Sequence, residues 1–363
     1  MDYKVREEVL HIEKYVAGKP ISEVKRELGL EKVVKLASNE NPLGCSPKAK
    51  EALRNLVDET FLYPDAVSFE LKSEIGKYLG IKPEQVFCGA GSDSLIRVLC
   101  NTLLEKDDES IIADITFPRY ETNTILMGAK CVKVPMKNLG LDIEAMVDAI
   151  APKTKIIWFC NPNNPTGTIF TEKDLMNVLD RIPNDVYIVM DEAYVEYVTS
   201  KEYPDSLKLL SKYPNMIILR TFSKAYGLAS LRIGYGIASE TLVEYFNRVV
   251  NSFDTNLYAQ VAAVEAVKDV DFLNKVKEFN AKQRKYMTNE FKEIGLDVVE
   301  SQANFIMVNV NCDDKPLFDF LLSKGYIVRP GFLLGTPKYL RISMGKEEEN
   351  KEVVKLIKEY LNK

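Results

Sequence analysis

Residues 155–194 read KIIWFCNPNNPTGTIFTEKDLMNVLDRIPNDVYIVMDEAY, and this stretch is the most informative about the architecture. Two short apolar runs, at 155–160 and 186–190, enclose an amphipathic segment at 172–181. Runs of this length, rich in β-branched and aromatic residues, predict strands buried on both faces, and the segment between them has the spacing of a helix. A strand–helix–strand order makes the two strands parallel, because the helix returns the chain to the same end of the sheet. These residues therefore predict an α/β fold.

The same alternation continues on both sides of this unit. Further apolar runs predict strands at 86–89, 110–115, 131–134 and 216–219. Predicted helices lie between them or before them, at 69–79, 94–104, 119–127 and 143–150. We predict a three-layer α/β fold, in which a mostly parallel sheet is covered by helices on both faces.

The pattern changes after Gly236. The rest of the chain is predicted to form helices at 256–268, 271–294 and 347–361 and strands at 297–310, 325–328 and 339–343. This order is typical of a smaller α+β domain. We predict a large domain of residues 41–274, a small C-terminal domain of residues 275–363, and an N-terminal segment, residues 1–40, that packs with the small domain.

The composition is that of a globular protein. Of the 363 residues, 46% are hydrophobic, which is enough to bury a core and excludes disorder for most of the chain. With 48 basic and 53 acidic residues the formal net charge is −5, which disfavours binding to the phosphates of nucleic acids. We find neither a run of about 18 apolar residues nor a signal peptide, so we expect no membrane span and a cytoplasmic location.

Histidine and cysteine, the usual ligands of transition metals, are sparse or scattered. His11 is the single histidine, which excludes His-rich zinc sites and facial-triad iron sites, and we interpret it as structural. The cysteines form no CxxC pair and lie at positions 45, 88, 100, 131, 160 and 312. We therefore expect no metal site and reduced cysteines.

Four loops follow predicted strands and carry polar residues. The types of these residues indicate more than a connection between two elements. The four loops are Gly89–Ser94, Asn161–Gly167, Asp191–Tyr194 and Thr221–Gly234. Taken singly, each has an ordinary explanation as a turn, a helix cap or a surface lysine. Ligands of parallel sheets bind beyond the carboxyl ends of the strands, so we expect the four loops to lie together around one ligand.

Together the loops supply the groups that pyridoxal phosphate requires of a protein. The amine of Lys224 suits a Schiff base, because partial burial would lower its pKa and make it nucleophilic. The carboxylate of Asp191 suits the pyridine nitrogen of the cofactor, and an asparagine amide and the phenol of Tyr194 suit its phenolic oxygen. The glycine-rich turn at 89–94 opens a predicted helix, whose free N–H groups suit the phosphate.

The order of the loops, with Ser-Lys-x-x-Gly-Leu-x-x-x-Arg at 223–232, resembles that of the fold-type-I aminotransferases. The segments Asp191–Tyr194 and Arg220–Lys224 are highly specific to that superfamily. Within it, the chain is most similar to the histidinol-phosphate aminotransferases, which are class-II pyridoxal-phosphate enzymes. This resemblance covers nearly the whole chain, through the segments 15–20, 39–42, 63–64, 328–330 and 340–343.

The resemblance implies roles for individual residues. Lys224 would form the Schiff base, and Asp191 would pair with the pyridine nitrogen. The other cofactor contacts implied are the backbone of Ser92 and Asp93, the ring of Phe117, Asn164 and Tyr194 at the phenolic oxygen, and Ser223 and Arg232 at the phosphate. The implied substrate contacts are Arg341, Arg329, Asn164 and Tyr15, with the two arginines at the carboxylate or phosphate. Tyr63 would reach the phosphate across the interface of a homodimer.

The activity implied is the exchange of an amino group in two half-reactions, in histidine biosynthesis. L-Histidinol phosphate and 2-oxoglutarate would give imidazole-acetol phosphate and L-glutamate, with Lys224 as general base and then general acid. Three alternatives stay open: an aromatic amino acid aminotransferase, a threonine-phosphate decarboxylase and a regulator that senses pyridoxal phosphate. The regulator would need a DNA-binding segment, for which the residues before Tyr15 leave no room.

Two positions depart from the pattern of the family. The family commonly has an acidic residue, near the phosphate loop, where this chain has Ser94. A Phe-Asn segment of the family here reads Phe253-Asp254-Thr255-Asn256. Neither departure changes the predicted catalytic residues, and the second puts the substrate specificity in question.

Overall fold

The computed structural model of the protein describes residues 4–14 and 18–362. Its strands are β1 (Val34–Lys35), β2 (Val86–Gly89), β3 (Glu109–Ala113), β4 (Lys130–Val134), β5 (Thr154–Cys160), β6 (Tyr187–Asp191), β7 (Met216–Thr221), β8 (Gly234–Ile237), β9 (Asp297–Val298), β10 (Phe305–Asn309), β11 (Tyr326–Ile327), β12 (Arg329–Pro330) and β13 (Tyr339–Ser343). Its α-helices are α1 (Glu7–Leu10), α2 (Ile21–Leu28), α3 (Pro47–Arg54), α4 (Phe69–Leu79), α5 (Ser92–Leu103), α6 (Arg119–Leu126), α7 (Ile143–Asp148), α8 (Glu172–Leu179), α9 (Ser206–Leu209), α10 (Glu240–Asn247), α11 (Leu257–Lys268), α12 (Val270–Glu293), α13 (Asp314–Ser323) and α14 (Glu347–Leu361).

The largest sheet has seven strands in the order β2-β8-β7-β6-β5-β3-β4. From β7 to β4 each neighbouring pair is parallel, whereas β8 runs antiparallel to both β2 and β7. Strands β2, β5, β6 and β7 therefore run in the same direction, and their carboxyl ends lie at one edge. The prediction of a mostly parallel sheet is confirmed, and the four polar loops begin at that edge.

The sheet has a separate apolar cluster on each face, because side chains of a strand alternate between the faces. In β5, Ile157 and Phe159 belong to one cluster, and Ile156 and Trp158 belong to the other. All four side chains are buried. Burial on both faces explains why this strand is apolar throughout, and it makes the three-layer arrangement.

A second, antiparallel sheet has the order β12-β13-β10-β9 and forms a further apolar cluster with α13 and α14. Strand β1 pairs in parallel with β11, and its residue Val34 and the next residue after the strand, Leu36, belong to this same cluster. This contact supports the proposed packing of the N-terminal segment with the C-terminal part. Helix α12 contacts both cores, through Leu273 on the large one and Phe291 on the small one. The domain boundaries at 41 and 275 stay predictions.

The single strand predicted at 297–310 is two strands, β9 and β10, separated by residues 299–304. In the connecting turn, Ser301 Oγ donates to the carbonyl of Phe305 at 2.6 Å, and the amide of Gln302 donates to the carbonyl of Gly167 at 2.8 Å. Strands β9 and β10 pair antiparallel, so residues 299–304 form the turn of a hairpin, and the bond of Gln302 holds this turn against the loop after β5. No α-helix in the described parts of the chain is long and apolar enough to cross a membrane.

Candidate active site

A cavity of about 920 Å³ opens at the carboxyl edge of the large sheet, bounded on its other side by residues of the small sheet. Among its lining residues are Ser92, Asp93, Phe117, Asn164, Asp191, Tyr194, Ser223, Lys224, Arg232, Arg329 and Arg341. The structure thus brings together the residues of all four loops and the two arginines. Tyr63 is not in this lining, and Tyr15 lies outside the described residues. His11, which we interpreted as structural, is exposed and lines the outer part of the cavity.

Lys224 lies in the loop after β7 and points its amine into the cavity. Its Nζ donates to the carbonyl of Ser38 at 3.1 Å and lies 5.8 Å from the ring centre of Tyr194. The pKa of Lys224 is lowered to about 8. The larger cause is the loss of hydration on burial, and the next is the positive charge of Arg341. An amine with this pKa is partly unprotonated near neutral pH, so it can act as a nucleophile or accept a proton.

The amine of Lys224 is therefore expected to react with an acylating reagent at much lower pH than an ordinary lysine. In the cofactor-free protein, its labelling should be half-maximal near pH 8, measured by peptide mapping and normalised to a free amine. The Arg341→Met variant should shift this midpoint upward, because a neighbouring positive charge is removed. A midpoint near the ordinary 10.5 in both proteins would contradict the assignment.

Asp191 is the last residue of β6, and its carboxylate is buried. Tyr120 on α6 donates its hydroxyl to Asp191 Oδ2 at 2.6 Å, and the amide of Ala193 donates to Oδ1 at 3.1 Å. Burial raises the pKa of Asp191 to about 6, although these two hydrogen bonds oppose the shift. A carboxylate shielded from water in this way favours a ligand with a positively charged group. Such a group would stabilise the ionised form of the carboxylate.

Tyr194 and Asn164 are held by hydrogen bonds that leave their donors facing the cavity. The hydroxyl of Tyr194 accepts from Asn39 Nδ2 at 3.0 Å, so its own proton remains to be donated. Asn164 Oδ1 accepts from Arg341 Nη1 at 2.7 Å, and its amide nitrogen likewise remains a donor. Two donors on the cavity wall are what the phenolic oxygen of pyridoxal phosphate needs.

The loop after β2 has the geometry of an anion site. Gly91 has a φ of +86° and precedes α5, so the first N–H groups of that helix, at Ser92 and Asp93, have no carbonyl within the helix to pair with. The Arg232 guanidinium lies against this loop, with Nη1 3.3 Å from Ser223 Oγ and Nη2 3.4 Å from the carbonyl of Ala90. A Cβ on Gly91 would stand 2.4 Å from Arg232 Nη2, so glycine is required for this approach. These donors fit the phosphate of pyridoxal phosphate.

Arg341 and Arg329 form the end of the cavity that faces the small sheet. They are directly paired across β12 and β13, so both reach the same region. Arg341 is buried, its Nη2 donates to the carbonyl of Ala37 at 2.6 Å, and its guanidinium lies 5.3 Å from the ring centre of Phe305. Two guanidinium groups side by side suit a carboxylate or a phosphate, since each can bind two anionic oxygens.

A buried ion pair connects the carboxyl end of β6, where Asp191 lies, with β7, which precedes the loop of Lys224. Glu192 is the first residue after β6, and Arg220 is in β7, four residues before Lys224. Arg220 Nη2 lies 2.8 Å from Glu192 Oε2, and both side chains are almost inaccessible to water. Breaking such a pair leaves an uncompensated buried charge, so the pair fixes the relative position of the two strand ends.

Sequence reasoning missed two residues of this site, Tyr120 and Asn39. Tyr120 lies in an ordinary amphipathic helix, and nothing in its local sequence indicates the bond to Asp191. From sequence, Asn39 belongs to the segment 39–42 that resembles the family, with no individual role. The structure gives Asn39 a φ of +57°, but the sequence Asn-Glu-Asn-Pro at 39–42 indicates only a loop and not the bond to Tyr194.

The comparisons with known proteins agree with this geometry. The family model for aminotransferase class I and II matches residues 31–357. The histidinol-phosphate aminotransferase of Caldicellulosiruptor saccharolyticus is 47% identical over 356 residues, which cover 98% of this chain and 99% of the relative. The histidinol-phosphate aminotransferase of Brevibacillus brevis is 46% identical over 356 residues and covers 98% of each chain.

A solved structure shows the same fold. The crystal structure of histidinol-phosphate aminotransferase from Sinorhizobium meliloti in complex with pyridoxal-5'-phosphate matches with a TM-score of 0.91. The match covers 99% of this chain and 98% of the other, at 24% sequence identity. The two chains therefore share one fold.

Proposed function

Because this chain belongs to the class I and II aminotransferase family, we propose that it is a pyridoxal-phosphate-dependent histidinol-phosphate aminotransferase. It would convert L-histidinol phosphate and 2-oxoglutarate into imidazole-acetol phosphate and L-glutamate. The observation that carries this proposal is the amine of Lys224, with a lowered pKa, in one cavity with the buried carboxylate of Asp191. The high identity to named relatives over the full length supports the choice of substrates.

The proposed cofactor contacts follow from the donors and acceptors described above. Ser92, Asp93, Ser223 and Arg232 would hold the phosphate, and Asp191 would pair with the protonated ring nitrogen. The remaining contacts would come from Asn164 and Tyr194 at the phenolic oxygen and from Phe117 on the ring. When bound, pyridoxal phosphate supplies a conjugated ring that accepts an electron pair from the substrate Cα.

The chain itself supplies proton transfer and orientation. Lys224 Nζ, partly unprotonated at neutral pH, takes the proton from the substrate Cα and can return it to another carbon within its reach. The negative charge of Asp191 favours the positive ring nitrogen and thus the withdrawal of electrons from the substrate. Arg341 and Arg329 bind the anionic group of the substrate and so fix which bond at Cα faces Lys224.

A single-turnover titration of the cofactor-loaded enzyme tests this function. Histidinol phosphate, glutamate, phenylalanine and threonine phosphate are added separately while the visible absorption band of the bound cofactor is recorded. Bleaching by histidinol phosphate and by glutamate is expected. Bleaching mainly by phenylalanine would instead indicate an aromatic amino acid aminotransferase, and release of carbon dioxide from threonine phosphate would indicate a decarboxylase.

We also propose that the protein is a homodimer. Apolar side chains are exposed along one short stretch, at Val57, Phe61, Leu62, Tyr63, Val67 and Phe69. A contiguous exposed apolar surface of this kind marks a protein interface. Tyr63, 81% exposed and stacked on Phe253 with ring centres 4.6 Å apart, is outside the cavity of its own chain. Its proposed place is at the phosphate site of the partner subunit.

The Phe61→Asp variant is expected to be a monomer, because it buries a charge at the centre of this apolar stretch. Analytical ultracentrifugation of wild-type and variant proteins measures the change. Val270→Asp is the matched control, since Val270 is also exposed but lies outside the stretch, and it should stay dimeric. A dimeric Phe61→Asp protein, or a monomeric wild type, would contradict the proposal.

A further inference from the structure

The carboxylate of Asp254 is bound to the loop that follows β2. Its Oδ2 accepts from the backbone amide of Ala90 and from Ser94 Oγ, each at 2.8 Å. Its Oδ1 accepts from Asn251 Nδ2 at 3.1 Å. Asp254 does not line the cavity, so any effect on a ligand there passes through the residues it holds.

The peptide groups of Ala90 are fixed from two sides. Asp254 accepts the hydrogen bond of its N–H, and Arg232 Nη2 donates to its carbonyl oxygen at 3.4 Å. The bond to Ser94 extends the same control to the first turn of α5. Asp254 thus connects the glycine-rich turn, the helix N-terminus and, through Ala90, the Arg232 guanidinium.

A second contact of the same segment reaches the other side of the anion site. Asn256 caps α11 and donates through Nδ2 to the carbonyl of Leu231 at 2.9 Å, directly before Arg232. Arg232 itself has a φ of +56°, which a non-glycine residue adopts only where its surroundings impose it. Residues 254–256 therefore hold both the loop after β2 and the turn that carries Arg232.

We propose that Asp254 is a positioning residue for the phosphate of the cofactor. It holds Ala90 and Ser94 so that the amides of α5 and the Arg232 guanidinium converge before the phosphate arrives. This inference rests on the proposed function. The two positions that depart from the family pattern, Ser94 and Asp254, contact each other. In this chain the carboxylate of that pair belongs to residue 254 and the hydroxyl to residue 94.

The first test compares the affinities of the cofactor-free protein for pyridoxal phosphate and for pyridoxal, which lacks the phosphate. In Asp254→Ala, the dissociation constant for pyridoxal phosphate should rise about tenfold or more, as when a hydrogen bond to a charged group is lost. The dissociation constant for pyridoxal should stay within about twofold of wild type, because the rest of the site is untouched. Asp185→Ala, at an exposed carboxylate outside the cavity lining, is the control and should change neither constant.

An equal loss of affinity for both ligands would overturn the proposal, since Asp254 would then act only on the overall structure. The same holds if neither constant changes. Asp254→Asn provides a milder variant in case Asp254→Ala does not fold: it keeps one acceptor oxygen and should lose less affinity for pyridoxal phosphate, with the same selectivity over pyridoxal. A wild-type protein that binds neither ligand would instead refute the proposed function.

The second test moves the carboxylate across the contact. Ser94→Glu alone places a second negative charge against Asp254 and should weaken pyridoxal phosphate binding about tenfold or more. In Ser94→Glu/Asp254→Asn the site again has one carboxylate, and the affinity should recover to within about threefold of wild type. Losses that simply add in the double variant would contradict the idea that these two side chains share one function.

Discussion

Replacing Lys224 by alanine is expected to reduce the turnover number with histidinol phosphate and 2-oxoglutarate by at least about 10⁴-fold. The amine is the group in the cavity whose pKa, lowered to about 8, allows it to accept a proton from the substrate Cα at neutral pH. Alanine removes both the nucleophile and the base at once. Steady-state rates of the cofactor-loaded variant and of wild type, at saturating substrates, measure the effect.

Two controls separate proton transfer from charge and from folding. Lys224→Arg keeps the positive charge, but a guanidinium stays protonated in proteins, so this variant should be as inactive as Lys224→Ala. A small amine such as methylamine, added to Lys224→Ala, should restore part of the activity, because the missing side chain leaves room for it. Turnover of Lys224→Ala at the wild-type rate would refute the proposed mechanism.

The large sheet could be predicted from sequence because its strands are apolar on both faces. The run at 155–160 is a strand in the structure, as predicted, and Asp191 ends β6 where the polar loop was predicted to begin. Helices α4 and α14 also have their predicted bounds, Phe69–Leu79 and Glu347–Leu361. In these elements the pattern of apolar residues agrees with the burial that the fold imposes. The pattern is therefore enough to predict the strand or helix and its bounds.

Strand β8 was not predicted, because its sequence, Gly234-Tyr-Gly-Ile, lacks the residues typical of strands. Both glycines are explained by close packing. A Cβ on Gly236 would stand 2.2 Å from the ring of Phe87, and one on Gly234 would stand 2.8 Å from the amide nitrogen of Ser92. The contact of Gly234 with Ser92 packs β8 against the loop that is proposed to bind phosphate. The glycine that makes β8 atypical as a strand sequence is therefore the residue that allows this packing.

The residues of the candidate site also divide into those that the local sequence predicts and those that it does not. Asp191 and Lys224 could be predicted because each follows an apolar strand and matches a short motif. Tyr120 and Asn39 could not, since their bonds to the site join residues 71 and 155 positions apart, and a single sequence carries no signal for such contacts. The pairing of Asp254 with Ser94, 160 positions apart, was missed for the same reason.

The second large effect is expected for Asp191→Asn. The asparagine keeps the shape of the side chain and one acceptor oxygen, but it has no negative charge to stabilise a protonated ring nitrogen. Loss of one preorganised electrostatic contact of this kind costs about 10²- to 10³-fold in the turnover number. Tyr120→Phe is the matched control: it removes the 2.6 Å hydrogen bond to Asp191 but keeps the charge, so its loss should be about tenfold.

A measurement of stability distinguishes this electrostatic role from a disturbed fold. Burial raises the pKa of Asp191 from 3.8 to about 6, so the folded cofactor-free protein binds a proton there more tightly than the unfolded chain does. The ionised carboxylate therefore costs stability above pH 6, and this cost disappears as the pH falls through 6 towards 3.8.

Asp191→Asn carries no such charge. Its free energy of unfolding relative to that of wild type, from denaturant titrations, should accordingly be higher above pH 6 than below pH 4, by up to about 3 kcal/mol. A difference between the two proteins that does not vary with pH, or a variant with wild-type turnover, would refute the role assigned to this carboxylate.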